Sequence, residues 1–155
     1  MVYSIAAYTL TLGALALYGV VMQHRLRVSE SALAATGGAL PADPRKGFNL
    51  GAALMAPFWL LAHGAKLPGA VLSVLTLGLV PLFAKAMWLP FLFIALVPVA
   101  AGAVLSFMGN RIGVAHTGLE DAGAFSSTQL PWAVIGVLLY TVILPWAWYF
   151  MYGSA

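Results

Sequence analysis

The residues best able to do chemistry in this sequence are three histidines, His24, His63 and His116, because cysteine is absent. Without cysteine there is no disulfide, no thiol nucleophile and no thiolate metal ligand. No two histidines stand three or four positions apart, so no single helix face offers a metal-binding pair. His63 ends an apolar run and is the candidate axial ligand to a haem or chlorophyll-type macrocycle, the alternative being a polar residue at the membrane interface. His24 and His116 fall in polar stretches, where solvent or lipid headgroups would hold them. The serines lack a His–Asp context, and the sequence has no Gly-x-Ser-x-Gly elbow, phosphate loop or dinucleotide fingerprint. The richest polar cluster is Asn110, Arg111, His116, Glu120 and Asp121. It reads either as a membrane-surface loop, with Asn110 and Arg111 capping the helix before them, or as a docking surface for a partner. No catalytic centre is recognisable, and the sequence is read as that of a non-enzyme.

These residues must be positioned by elements that live in lipid. Of 155 residues, 63% are hydrophobic and 7% charged, against about 25% charged in a soluble domain, and mean hydropathy is +0.97. A chain so poor in charge cannot wet its own surface, so most of its exterior must face lipid or other membrane proteins. The expected fold is an all-α integral membrane protein with no room for a separate soluble domain. The net charge of +3 comes from basic residues scattered at helix ends, which report topology and exclude a nucleic-acid face.

Four transmembrane helices are expected, at about residues 2–22, 67–84, 88–108 and 130–152, each close to the roughly 20 residues that cross hydrocarbon. The first has no basic start, and Arg25 and Arg27 follow it, so residues 1–23 read as an uncleaved N-terminal anchor. Within it Ala6, Thr9, Gly13 and Ala16 form a stripe of small residues, a candidate helix-packing seam. Residues 24–47, with their Gly, Pro and Ser, read as a cytoplasmic linker carrying at most a short surface helix at 29–35. Residues 48–155 then form a helical membrane domain. Its first apolar run, about 48–63, contains Pro57 and is marginal for a full crossing, so it is expected to be interfacial or re-entrant. A short turn at Lys85 makes the next two spans an antiparallel hairpin, and residues 109–129 read as a polar connection.

Charge fixes the expected orientation. If 48–63 does not cross, Arg25, Arg27, Arg45, Lys46, Lys66 and Arg111 are cytoplasmic and Lys85 alone is outside. A crossing would move Lys66 and Arg111 out and Lys85 in, weakening the asymmetry. The positive-inside rule thus favours four spans with both termini periplasmic. Trp59, Trp88, Trp132, Trp146 and Trp148 stand near the ends of apolar runs, as an interfacial aromatic belt would. No Asp, Glu, Lys or Arg occupies the middle of an expected span, which argues against a proton pump or ion-coupled transporter. Only Ser73, Thr76, Ser106 and Thr141 offer polar side chains for a small permease.

Two resemblances follow from particular residues. Phe48, Asn49, Ala52 (with Ala53), Pro57, Phe58, Trp59, Gly109, Asn110 and Arg111 match a pattern of a Phe-Asn-x-x-Ala start, a Pro-x-Trp core and a Gly-Asn exit. On these, residues 47–110 resemble the bacterial domain-of-unknown-function family 2628, which implies two apolar helices and no known activity. The chain departs from that family after Asn110, where Leu119–Phe125 replaces several arginines and an Arg-Gly-aromatic ending. Ala6-Ala7-Tyr8, the apolar run to Val21 and Arg25-Leu26-Arg27 look like the small haem-exporter protein D of cytochrome c maturation. That likeness implies a haem-delivery helper.

The expected role is a non-catalytic accessory subunit of a larger bioenergetic complex in the bacterial inner membrane, with a lean toward a photosynthetic reaction-centre and light-harvesting assembly. Its partners would be membrane lipids and other integral membrane subunits. No cofactor is required, and the periphery leaves room for lipid, bacteriochlorophyll or carotenoid. A haem- or pigment-handling protein and a small permease are the alternatives.

Overall fold

The computed structural model describes residues 2–37 and 43–152, apart from the side chains of 2–8, 10 and 152. The described chain is all helix and turn, with no strand. Its helices are α1 (Val2–Ala35), α2 (Leu50–Leu54), α3 (Ala56–Ala62), α4 (Lys66–Ala84), α5 (Trp88–Thr117), α6 (Ala122–Leu138) and α7 (Leu144–Tyr152), with a π-helical turn at Leu139–Ile143 between the last two.

Among the described residues three helices are long and apolar enough to cross a membrane: Lys66–Ala84, Trp88–Thr117 and Ala122–Met151. That is fewer than the four expected. The missing one, residues 2–22, lies in α1, and part of it falls outside the described side chains.

Helices also run further than the sequence suggests. The expected linker is helical through Ala35, because no Gly or Pro interrupts residues 20–35. Ser29 and Ser31 turn their hydroxyls back onto the carbonyls of Arg25 and Arg27, at 2.9 and 3.1 Å, so they do not compete with the helix. The expected polar connection 109–129 is likewise mostly helix. α5 continues to Thr117 and stops at Gly118, which takes the left-handed conformation with φ 69°. α6 begins at once, its first turn capped by the Asp121 carboxylate accepting from Ala124 N–H at 2.6 Å. Asn110 and Arg111 are therefore inside a helix and do not cap one.

The 48–63 run is two short helices broken at Met55. At about 1.5 Å per residue neither approaches the roughly 30 Å of hydrocarbon. Asn49 starts the pair: its side-chain oxygen accepts from Ala52 N–H and its own N–H donates to Ser106 O at 2.7 Å. Pro57 sits in the first turn of α3, where its missing N–H costs nothing. The neighbours of successive residues trace a dip and a return. Ala52 lies against Gly109, Ala53 against Gly102 and Leu54 against Gly136, while Trp59 reaches back to Gly113 and Gly64 lies against His116. The segment enters and leaves at the same end of the bundle, with its tip near Met55.

α2 lies between α5 and α6, which make little contact with each other directly, and α3 packs on α4. The glycines permit this closeness: a Cβ at Gly102 would stand 2.5 Å from the Ala53 carbonyl oxygen, and one at Gly136 2.7 Å from Leu54 Cβ. α1 runs antiparallel to α6. Gly13 meets Thr141, Val20 packs with Ala133 and Val137, His24 bonds Ser126, and Gly123 faces Ser31. The core is one apolar cluster around the hairpin (Ala52, Met55, Ala56, Trp59, Leu60, Leu72, Leu105) and a second where α1 meets α6.

Candidate functional site

Most buried polar residues, Asn49, His63, Ser106, Asn110, Ser126 and Gln129, gather at the end where the hairpin enters, with Thr9 apart from them in the first half of α1. Gln129 of α6 is their hub. Its carbonyl oxygen accepts from the Trp59 indole N–H at 2.7 Å and from the Asn49 amide at 3.2 Å. Its amide nitrogen faces His63 Nε2 at 3.2 Å and Thr128 Oγ1 at 3.1 Å. An indole nitrogen can only donate, so the Gln129 oxygen must face Trp59 and the amide nitrogen must face His63. His63 Nε2 is therefore an acceptor, and Nδ1 carries the proton that it donates to the Trp59 carbonyl at 2.8 Å. Protonating Nε2 would set two donors against each other. Burial also pushes His63 below the ordinary histidine range and His116 adds to this, while the Trp59 carbonyl opposes it.

Local sequence explains the arrangement. Trp59 and His63 are four apart, so their rings stack, 4.0 Å between centroids and 13° between planes. His116 and Trp132 approach the His63 ring edgewise, each at 6.1 Å. Gly64, with φ 79°, turns the chain from α3 into α4 directly under the His116 ring, where a Cβ would stand 2.8 Å from Nδ1. Asn110 is 1% exposed, and its amide donates to the carbonyls of Lys46 at 3.0 Å and Gly47 at 3.1 Å, fastening the chain just before the hairpin. Arg27 and Gln23 of α1 reach the Phe48 carbonyl at 3.3 and 3.4 Å.

Two cavities border the hairpin. A small one of about 40 Å³, lined by Gln23, His24, Arg27, Asn49 and Asn110 among others, lies between α1, α6 and the hairpin. A larger one of about 640 Å³ lies below the hairpin tip, and its lining is overwhelmingly apolar.

No protein-family model matches the chain, and no curated protein or solved structure is significantly similar to it. The family resemblances therefore stay at the level of residues. Of the residues quoted for the first of them, Asn49, Ala52, Trp59, Gly109 and Asn110 lie at the hairpin base.

Other expected site residues are dispersed. Both His63 nitrogens are engaged within the protein and the residue is 7% exposed, so axial ligation would first require Gln129 to swing away. In the polar stretch, Asn110 is buried, Arg111 is exposed, His116 lies beside His63, and Asp121 caps α6. Glu120 pairs with Arg45 at 3.8 Å across the surface. Of the seam, Ala6 lies outside the described side chains; Thr9 and Gly13 are buried, Ala16 is half-buried, and Gly13 and Ala16 face α6 and the π-helical turn, so the chain supplies its own partner there. Trp88 and Trp148 are exposed near the far end, both against Phe83, and Trp146 and Trp132 are half-buried. Trp59 does not belong to a belt: it is fully buried, because its N–H has Gln129 to bond.

The residues the sequence did not single out are Gln129 and Ser126. The available signal was a Gln set immediately before the apolar run that opens at Leu130, which a buried amide needs a specific partner to tolerate.

Proposed function

We propose that the chain is a non-catalytic helical subunit of a larger membrane assembly, built to present apolar helix faces to other membrane proteins. One observation carries this reading. Each of the three spanning helices has only 17% of its most apolar window buried inside the protein. α4 and α5 leave Leu67, Val74, Leu89, Phe93 and Phe107 65–77% exposed. The polar cluster supports a scaffolding role: its hub is saturated internally, and Gln129 has no hydrogen-bonding position left for a substrate.

A fourth span belongs to the proposal. α1 pairs with α6 so that the apolar residues of both helices lie side by side and His24 and Ser31 lie beside Ser126 and Gly123. A helix so aligned shares the depth of its neighbour. With the basic residues inside, both termini face the periplasm. A bioenergetic complex, photosynthetic or respiratory, is the host class to test first, in a bacterial inner membrane.

Native electrophoresis of source membranes in mild detergent tests the reading. The chain should migrate with a large complex, and mass spectrometry of that band should name the host. Migration as an isolated small species would overturn it.

A further inference from the structure

We propose that the cavity below the hairpin tip holds one acyl chain of a phospholipid from the leaflet at the polar end of the bundle. Its volume of about 640 Å³ falls within the roughly 300–1,000 Å³ of small-molecule sites. The hairpin tip roofs it, α4 and α5 form one wall through Thr76, Leu79, Val99 and Ala103, and the π-helical turn forms the other through Leu139 and Tyr140.

Depth identifies the occupant. Along α5 the cavity runs from Ser106 to Ala95, about 17 Å at the helical rise. Ser106 lies one turn below Asn110, at the polar boundary. The cavity therefore extends from that boundary to about the bilayer midplane, half of the roughly 30 Å of hydrocarbon. Chemistry narrows it further. The Ser106 hydroxyl is spent on the Ala103 carbonyl at 2.6 Å, and the Thr76 hydroxyl, which bonds no other group, is itself buried. Such a lining has too few polar partners for water and suits an unbranched hydrocarbon chain. At the mouth Phe48 meets Phe107 edge to face, with centroids 5.9 Å apart. Arg111 stands one turn above Phe107 on the same helix face, and Lys46 two residues before Phe48, both exposed. These cations stand where the phosphate of that lipid would lie.

The test uses the full chain purified from membranes doped with phosphatidylglycerol bearing a photoreactive group in its tail. After detergent exchange, one lipid per chain should persist in native mass spectra. Illumination should place adducts on Met55, which is buried, and Leu139, which is half-buried, sparing the exposed Val97 and Val104. Ala103→Trp, which fills the cavity, should abolish retention, whereas Val104→Trp on the outer face should not. Val99→Trp repeats the experiment if the first variant loses its helical circular dichroism. The proposal is overturned by a wild-type protein that retains no lipid, by adducts as frequent on the outer faces as in the cavity, or by a retained isoprenoid. Crosslinks from Val99 to a neighbouring protein in intact membranes would also overturn it. None of these outcomes depends on whether the chain migrates with a larger complex.

Discussion

Gln129 shows how one amide can hold a membrane hairpin in place. All four of its hydrogen-bonding positions are used, so its loss leaves several buried groups unpaired at once. Gln129→Leu should destabilise the protein by roughly 2–5 kcal/mol, since an unsatisfied buried group costs about 1–3 kcal/mol. Thermal unfolding in detergent measures this. Gln129→Glu is more informative, because a carboxylate cannot donate to His63 Nε2 and instead favours a proton there. The His63 titration, followed by NMR of the labelled ring, should move upward; an unchanged titration would refute the tautomer assigned above. In the wild type the His63 pKa is lowered on folding, chiefly by burial. Its stabilising contribution is therefore full above the unfolded value of about 6.5 and is lost as pH falls toward the lowered folded value. Stability should decline below that pH by at most about 1.4 kcal/mol per unit, and His63→Gln should flatten that part of the profile. None of this was legible in the sequence. Composition shows a histidine at the end of an apolar run, but its partner lies 66 residues away and is uncharged.

At the scale of elements, the helical class was legible, whereas the lengths of α1, α5 and α6 and the break at Met55 were not. The α4–α5 hairpin lies where the apolar runs and the turn at Lys85 put it. α1 extends past its apolar run because polar residues without Gly or Pro keep a helix going as readily as apolar ones, whereas α5 continues through Gly109 and Gly113, which pack against Ala52 and Phe125. The break at Met55 was hidden for a different reason: it depends on glycines elsewhere in the chain that let α2 sink between α5 and α6. Gly102 tests this. A Cβ there meets the Ala53 carbonyl at 2.5 Å, backbone that cannot step aside. Gly102→Ala should destabilise by about 1–3 kcal/mol, as overpacking does. Gly78→Ala, on α4 with nothing within 4 Å of the new methyl, should instead be neutral or stabilising by up to about 1 kcal/mol. Equal effects at the two positions would mean that the hairpin does not press on α5.

For the whole molecule, the decisive question is which ends share a side, and the absence of cysteine makes it answerable. α2 and α3 together comprise 12 helical residues, about 18 Å of helix against the roughly 30 Å of hydrocarbon. They are also bent back at Met55, so the chain on either side of the hairpin must emerge on one face. Single cysteines introduced as Ser29→Cys, Lys66→Cys and Glu120→Cys should all react with an impermeant thiol reagent from the same side, and Lys85→Cys from the other. Were residues 50–62 a crossing, Lys66→Cys and Glu120→Cys would switch sides and Lys85→Cys would join Ser29→Cys. Ser4→Cys addresses α1 separately: labelling with Lys85→Cys means that this helix spans, whereas labelling with Ser29→Cys means that it lies along the surface. The second result would be hard to reconcile with the antiparallel packing of α1 on α6, since Val20 is buried against Ala133 and Val137 well inside the apolar length of that helix. A surface helix would have to give up that contact and return about 1.5–3 kcal/mol of side-chain burial for each large residue released. In the proposed four-span arrangement, every apolar face described for α1 and α6 would stay either paired or in lipid.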